Sequence, residues 1–450
     1  MTDSSTNTAR IKELMTFFQA FDDNAVQLEP GHPFYVPVFD DSPDTDPVEA
    51  LKSRILFSVS ESVNLLTGFR GNGKTTQLKR LRKLLEDAGC RVFYVNMRDY
   101  MLMTQPVELS DLLLSITAAL SRAVKADNGL NVIERSYWER MKEFLTSQVI
   151  SDGVTFSAGI EDFSAEMGVR LQRDAGFKEK IQHHLRGHAT TIVEEARSFF
   201  ASIVTTLRQR SGSENLKVVL LIDSLEQIRG HFSNANDVQK SVSEIFSGQA
   251  GNLLFPMLHI VYTIPPYLST LAPNISKVYG GNPITCWPNI HVRKKDGEPD
   301  PRGEMIMRSI VEKRYPAWRN YFEENHISRL AQSSGGDLRD YFRLVRECVI
   351  ALSTSKAIEK VDDAILTRTE QQLLSESLPI AIDDARWLLR ISEEKTASLE
   401  VIGDVSSLVR FQDGNLIMNY QNGEIWCDIH PLLLPEVKKL AALPRRTGKE

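Results

Sequence analysis

One segment of this 450-residue chain has the residue types and spacing of a phosphate-binding loop. Glycines in such a loop let backbone N–H groups turn toward a phosphate, and a lysine adds positive charge at the β- and γ-phosphates. A hydroxyl after the lysine binds Mg²⁺. The pattern G-x-x-x-x-G-K-[ST], followed by one more threonine, predicts a nucleoside-triphosphate site made of Gly68, Phe69, Arg70, Gly71, Asn72, Gly73, Lys74, Thr75 and Thr76.

A second acidic motif is expected, because the metal must be held opposite the loop threonine. Five apolar residues, Val218 to Ile222, lead into Asp223, which is therefore the predicted Mg²⁺ ligand together with Thr75. Glu226 follows three residues later, where its carboxylate could activate an attacking water. The alternatives are that Asp223 is a turn residue ending a strand and that Glu226 is a solvated residue at a helix start.

Two further residues are candidates for contact with the γ-phosphate. Thr263 ends the apolar stretch His259 to Thr263, so its hydroxyl could meet the phosphate or the attacking water. Arg339 follows Gly335-Gly336-Asp337 and could reach the nucleotide from a helical region. The alternatives are an ordinary turn threonine and an exposed arginine at a helix start. The predicted catalytic set is therefore Lys74, Glu226, Thr263 and Arg339.

Other cations and histidines have weaker patterns. Arg70, the run Arg293-Lys294-Lys295 and Arg314 are candidates for an arginine finger, or are solvated surface residues. His184 and His188 are spaced i, i+4, but no third ligand or glutamate base accompanies them, so a zinc site is not expected.

The elements around the loop predict an α/β fold. Val63 to Leu66 resembles a buried strand, and Thr76 to Leu85 resembles a helix with one leucine face. Helices separate further predicted strands, which are Arg91–Val95, Val218–Ile222, His259–Thr263 and Ile284–Val292. This alternation is typical of a parallel sheet covered on both faces, an αβα sandwich.

The predicted domains are an N-terminal helix and linker (1–46), a P-loop core (47–300) with a helical insertion at about 101–210, a helical lid (301–375), and a winged-helix-like domain (376–450). The last rests on a helix followed by two hairpin signals, Asp413-Gly414 and Asn422-Gly423. The N-terminal helix has an apolar face between Ile11 and Phe21, which we expect to pack on the chain's own core; the alternative is a partner protein.

The composition is that of an ordinary globular protein, with 42% hydrophobic and 25% charged residues. The net charge of −6 gives no overall attraction to nucleic acid or membrane. The four cysteines lack metal-ligand spacing, and no apolar run approaches the roughly 18 residues that would span a bilayer. We therefore expect a cytoplasmic protein with reduced thiols and no membrane partner.

The motifs GFRGNGKT, VVLLIDSLE, HIVYTIPP and GGDLRD occur in this order. With these four motifs the chain resembles bacterial AAA+ and STAND-type P-loop ATPases. The resemblance is strongest to those with a helical lid and a winged helix, such as origin-recognition initiator ATPases. The resemblance covers roughly residues 47–440. It implies ATP and Mg²⁺ as cofactors, Gly68 to Thr75 as Walker A, Val218 to Asp223 as Walker B, Thr263 as sensor 1 and Arg339 as a sensor-2-like residue.

Most AAA+ proteins place the catalytic glutamate directly after the Walker B aspartate, whereas Ser224 stands there in this chain. The Asp-x-x-Glu spacing is nearer the STAND pattern, which implies slow hydrolysis. The resemblance thus predicts an ATP-operated switch that closes or forms a homo-oligomer and controls a separate effector protein, by analogy in bacterial anti-phage defence. The alternative is a remodeler or loader that binds DNA through the winged helix; a small-molecule kinase is disfavoured by the lid-plus-wing tail.

Overall fold

We describe the protein from a computed structural model. The described residues are 2–22, 28–40, 45–125, 127, 129–149, 156, 159–231, 233–355, 358–397, 405–421 and 424–444.

Two sheets account for the named strands of these residues. The first contains five strands and the second contains two. The strands are β1 Ser62–Thr67, β2 Arg91–Asn96, β3 Val218–Asp223, β4 Leu258–Thr263, β5 Thr285–Cys286, β6 Ile417–Gln421 and β7 Ile425–Ile429.

The α-helices of the described residues fall between and after these strands. They are α1 Thr2–Ala20, α2 Pro47–Phe57, α3 Lys74–Asp87, α4 Leu109–Lys125, α5 Leu130–Val149, α6 Ile160–Arg173, α7 Ala175–Leu185, α8 Ala189–Ser211, α9 Ala235–Ser243, α10 Leu268–Leu271, α11 Ile275–Val278, α12 Pro301–Arg314, α13 Glu324–Ser334, α14 Leu338–Thr354, α15 Asp363–Ser375, α16 Ile382–Glu394, α17 Val405–Asp413 and α18 Leu434–Ala441.

The chain forms two compact units. One comprises residues 1–46, 68–76 and 287–450, and the other comprises residues 47–67 and 77–286. We call them the loop unit and the sheet unit, after the phosphate-binding loop and the five-stranded sheet that they contain. These units do not correspond one to one with the four predicted domains, because the N-terminal segment and the C-terminal region belong to the same unit.

The sheet unit is built on a parallel sheet with the order β2-β3-β4-β1-β5, as the α/β prediction required. Every residue of β1, β3 and β4 is buried, which suits strands covered on both faces. The connection leaving β1 runs to the β2 edge, whereas those leaving β3 and β4 run the opposite way. The carboxyl ends of β1 and β4 therefore flank a topological switch point, where ligands bind in open α/β sheets.

Helices α4 to α8 of the sheet unit lie between β2 and β3 in the chain. Their interior is aromatic: the rings of Tyr137 and Phe199 stack at a centroid distance of 4.6 Å. The indole of Trp138 donates a hydrogen bond to Ser121 Oγ at 2.7 Å, so the polar atom of this fully buried side chain is satisfied.

The loop unit has its main core between α1 and α12 to α15. Leu14, Phe17 and Phe21 of the N-terminal segment are buried in this core, and the ring of Phe17 stacks on Tyr315 with centroids 4.2 Å apart. The prediction that the apolar face of the N-terminal helix packs on the chain's own core is confirmed.

A smaller core lies in the C-terminal module, which we define as residues 382–441, comprising α16, α17, the β6–β7 hairpin and α18. Its buried residues include Leu388, Phe411, Ile417 and Val437. β6 and β7 pair antiparallel, with Ile417 opposite Ile429, which confirms the second hairpin signal. The turn residues Asn422 and Gly423 of that signal lie outside the described residues.

The first hairpin signal was wrong, because Asp413-Gly414 ends helix α17. The N–H of Gly414 donates to the carbonyl of Arg410, and the N–H of Leu416 donates to that of Phe411. Asn415 has a left-handed backbone with φ 54°. Asp, Gly and Asn serve equally well in a hairpin turn and at a helix C-terminus, so the dipeptide did not distinguish the two.

Candidate phosphate-binding site

The predicted phosphate-binding loop connects a strand to a helix, since β1 ends at Thr67 and α3 begins at Lys74. Gly68, Gly71 and Gly73 have φ angles of 155°, 95° and 92°, which other L-residues rarely adopt. Helix α3 has 14 residues, and its N-terminal N–H groups and dipole favour an anion at the start of the helix. The residues present therefore fit a bound phosphate group.

Lys74 is folded back over this loop. Its Nζ donates hydrogen bonds to the carbonyl oxygens of Gly68 at 2.9 Å and Phe69 at 2.7 Å, and the side chain is only 4% exposed. A buried ammonium group needs such partners, because an unpaired charge is costly to bury. The lysine charge is thus held at the loop, where a triphosphate would need it.

The middle of the loop is contacted by three distant parts of the loop unit. Asn415 Nδ2 donates to the carbonyl of Arg70 at 3.3 Å. Arg339 lies against Gly71, where an added Cβ would come within 2.6 Å of the Arg339 Cβ. Asn72 and Trp287 exchange two hydrogen bonds, from Asn72 Nδ2 to the Trp287 carbonyl at 2.7 Å and from Trp287 Nε1 to the Asn72 carbonyl at 2.9 Å.

A tight turn places Arg339. Gly335 and Gly336 have φ 59° and 78°, and a Cβ on Gly336 would lie 1.7 Å from the carbonyl oxygen of Ile290. Asp337 then caps α14 by accepting the N–H of Asp340 at 3.0 Å. Burial, together with the nearby Asp340 carboxylate, raises the pKa of Asp337 to about 7.

In the sheet unit, Asp223 ends β3 with no exposed surface. Its carboxylate accepts hydrogen bonds from Tyr94 Oη at 2.6 Å and from the N–H of Ser224 at 2.7 Å. Ser224 has a left-handed backbone, with φ 73°, and is also buried. Strained non-glycine residues of this kind cluster at functional sites, which is consistent with the role predicted for Asp223.

Thr263 and Glu226 are the other two candidates of the sheet unit. Thr263 is fully buried; its hydroxyl accepts the N–H of Leu225 at 3.0 Å and donates to the carbonyl of Ile222 at 3.3 Å. One lone pair of this oxygen is left over by these two bonds. Glu226 is half-buried on a single 3₁₀ turn, Leu225–Gln227, directly beyond that contact. Thr263 therefore fixes the turn that carries Glu226.

Several of the weaker candidates have structural contacts. The guanidinium group of Arg314 donates to the carbonyl of Ala20 at 2.6 Å and lies 4.2 Å from the centroid of the Phe342 ring. Arg293 donates to Gln332 Oε1 at 2.5 Å, and Lys295 pairs with Glu424 at 2.9 Å. Among the described residues no group of three His, Cys, Asp or Glu side chains could hold a metal ion.

The loop unit therefore brings the phosphate-binding loop together with Arg339, while Asp223, Glu226 and Thr263 share the carboxyl edge of the sheet unit. Sequence reasoning missed Tyr94, although a phenol one residue before the end of the predicted strand Arg91–Val95 is a usable signal. It also missed Trp287 and Asn415, which contact the loop across 215 and 345 residues of chain. No local pattern indicates such distant contacts.

Comparisons with known proteins add distant likenesses. No family model matches the chain, and no curated protein matches it. Solved structures similar to it include the ORC2 protein of Aeropyrum pernix in complexes with ADPNP and ADP (TM-score 0.42, 11% identity, covering 94% of this chain and 97% of that one). They also include CDC6P from Pyrobaculum aerophilum (TM-score 0.36, 14% identity, covering 94% of this chain and 97% of that one). A third is a Walker-type ATPase of Pyrococcus abyssi (TM-score 0.38, 12% identity, covering 90% of this chain and 99% of that one).

Likenesses at TM-scores below 0.5 do not establish a family for this chain. The fold class is defined by the structure itself. The chain has an α/β fold with a five-stranded parallel sheet, and the predicted phosphate-binding loop lies between the first strand and the following helix. Within the described residues, no helix is long and apolar enough to cross a membrane.

Proposed function

We propose that this chain binds ATP with Mg²⁺ through residues 68–76 and hydrolyses it slowly. The observation that carries the proposal is the loop conformation. Three glycines with positive φ lie between a buried strand and a 14-residue helix, and Lys74, the first residue of that helix, directs its ammonium group back to the loop. This is the arrangement with which P-loop nucleotidases bind a triphosphate.

Each predicted site residue then has a role. Lys74 would neutralise the β- and γ-phosphates, and Thr75 and Asp223 would hold Mg²⁺, which offsets charge that develops on the phosphates. Glu226 would orient the attacking water, and Thr263 would position Glu226 through the Leu225 N–H. The hydrogen bonds from Tyr94 and Ser224 would orient the Asp223 carboxylate toward the metal.

We further propose that ATP operates a conformational switch. The support is Arg339, which contacts the loop from α14, so a charge at the phosphates can affect the position of a helix distant in sequence. ATP shifts such an equilibrium only by its different affinity for the two states. By resemblance to STAND and AAA+ ATPases, the closed state would self-associate and act on a separate effector in the bacterial cytoplasm, in anti-phage defence.

The test of nucleotide binding is Lys74→Ala, with Lys83→Ala as the matched control. Lys83 lies on the same helix but is exposed and pairs with Asp87 at 2.6 Å. Titration with a fluorescent ATP analogue should show binding lost in Lys74→Ala and unchanged in Lys83→Ala, at equal melting temperatures. Equal affinity in the two variants would contradict the proposal.

Hydrolysis is tested separately with Glu226→Gln, which keeps the size of the side chain and removes its basic carboxylate. Phosphate release should fall by about 100-fold while ATP affinity is kept, since general-base assistance contributes roughly 10²–10⁴-fold. Particle size measured with ATP should then show the associated state accumulating. Unchanged turnover would move the catalytic role away from Glu226.

The contacts of the C-terminal module favour the switch over a DNA-binding remodeler. Three of its cations are paired with carboxylates of the same module: Arg410 with Asp384 at 2.7 Å, Arg386 with Asp383 at 2.8 Å and Lys395 with Asp428 at 2.5 Å. DNA binding would need such charges for phosphates and would weaken steeply with salt. Salt-sensitive DNA binding in a filter assay would favour the remodeler.

A further inference from the structure

The three contacts at the middle of the phosphate-binding loop all lead to the C-terminal module. The direct one is made by Asn415, between α17 and β6, whose amide donates to the carbonyl of Arg70 at 3.3 Å. The left-handed backbone of Asn415 directs the chain out of α17 at this point. A residue of the module therefore holds a backbone carbonyl of the phosphate-binding loop.

The second connection passes through the Gly335-Gly336 turn. Tyr420 Oη on β6 donates to the carbonyl of Gly335 at 2.8 Å, and a Cβ on Gly335 would lie 2.5 Å from Met418 Sδ. Tyr420 is buried, and its ring stacks on Trp426 of β7 with centroids 4.4 Å apart. The hairpin thereby fixes the turn from which Arg339 reaches Gly71.

The third connection passes through residues 287–290. Trp287 exchanges two hydrogen bonds with Asn72 of the loop. Two residues later, the N–H of Asn289 donates to the carbonyl of Asn419 on β6 at 3.0 Å, and the N–H of Ile290 donates to that of Gly336 at 3.3 Å. The β6–β7 hairpin thus fixes residues 287–290, and Trp287 of this segment in turn fixes Asn72.

We propose that the C-terminal module is a positioning element for the phosphate-binding loop, with Asn415 as its direct positioning residue. Three successive loop residues are connected to one module, Arg70 directly through Asn415 and residues 71 and 72 indirectly through Arg339 and Trp287. A loop whose residues are restrained in this way moves less readily, so a bound nucleotide would leave it more slowly. The module therefore slows nucleotide exchange, an inference that rests on the proposed ATP site.

The experiment compares two glycine variants of the full-length chain. Asn415→Gly keeps a residue that tolerates positive φ and removes only the amide that holds Arg70. Lys395→Gly is the matched control, because Lys395 also has positive φ, at 57°, and its side chain pairs with Asp428 inside the module. Hydrogen exchange of residues 68–76 is measured without nucleotide, beside the melting temperature.

Amide exchange in residues 68–76 should be about two- to tenfold faster in Asn415→Gly than in the wild type, because one neutral hydrogen bond is lost. Lys395→Gly should leave this segment unchanged. Tyr420→Phe, which keeps the ring stack and loses the bond to Gly335, should give a smaller acceleration. Wild-type exchange in Asn415→Gly, or equal acceleration in the control, would overturn the inference.

Release of the fluorescent ATP analogue provides the second measurement. It should be faster in Asn415→Gly by a similar factor and unchanged in Lys395→Gly. Equal release rates in Asn415→Gly and the wild type would overturn the claim that the module slows exchange, with the ATP site intact. A wild-type chain that binds no ATP would instead contradict the proposed function, while hydrogen exchange would still decide whether Asn415 positions the loop.

Discussion

The phosphate-binding loop and the Gly335-Gly336 turn both depend on glycines with positive φ, yet their surroundings differ. A Cβ on Gly73 would have one neighbour within 4 Å, the Leu338 side chain at 3.7 Å. A Cβ on Gly336 would meet the backbone of Ile290 at 1.7 Å. Glycine is required at position 73 by backbone conformation and at position 336 by close packing as well. Substitution should therefore affect ligand binding at Gly73 and folding at Gly336.

The largest effect is expected for Gly336→Ala. Its Cβ would collide with a carbonyl oxygen, which cannot rotate away as a side chain can, so the cost should exceed about 3 kcal/mol. The melting temperature should fall by roughly 3 °C or more. Gly297→Ala is the control, since Gly297 has φ 94° but no atom within 4 Å of a Cβ. Equal melting temperatures for the two variants would show that the close contact with Ile290 adds no cost to that of the backbone conformation.

Gly73→Ala should have an intermediate effect that separates binding from folding. Its left-handed backbone costs about 1–2 kcal/mol, as in Gly297→Ala. The loop can relieve this strain by turning its backbone away from the conformation that receives a phosphate, so affinity for the ATP analogue should fall at least about tenfold. The melting temperature and the affinity for the ATP analogue are measured on the same preparation. Normal affinity with a large loss of stability would show that Gly73 is needed for folding, as Gly336 is.

The smallest effect is expected for Asp337→Asn, directly after the turn. The folded-state pKa of Asp337 is about 7 against an ordinary 3.8, so between about pH 4 and pH 7 the folded chain keeps a proton that the unfolded chain has released. Stability should therefore decline as pH rises through this window. Asparagine caps a helix nearly as well but does not titrate, so the variant should lose part of this decline, about 1 kcal/mol or more by pH 8.

Denaturant unfolding at several pH values measures that slope. Asp340, Arg339 and His430 also act on the Asp337 carboxyl and remain in the variant. Asp362→Asn is the control, because Asp362 caps α15 by accepting the N–H of Ile365 at 2.8 Å but is exposed. Parallel curves for Asp337→Asn and the wild type would contradict the burial argument.

The sequence was most informative where function depends on local pattern. Glycine spacing located the loop, and continuous apolar runs located β3 and β4 with Asp223 and Thr263 at their ends. It was least informative where a contact joins distant residues, as between Asn72 and Trp287, because no local sequence pattern predicts such a contact. The predicted strand from Ile284 to Val292 was too long for the same reason, because β5 spans only Thr285–Cys286. The residues after it instead form hydrogen bonds with the phosphate-binding loop and the β6–β7 hairpin.

The left-handed backbone of Ser224 restricts how this site could be redesigned. In the more common AAA+ arrangement, a glutamate would occupy this position. A glutamate there would keep the backbone φ of 73°, whose cost of about 1–2 kcal/mol Ser224 already bears, and its longer, charged side chain would be placed where the present side chain is buried. Engineering a faster ATPase by Ser224→Glu therefore requires rebuilding the turn between β3 and Leu225, and the separation of Asp223 from Glu226 is a property of the backbone as much as of the side chains.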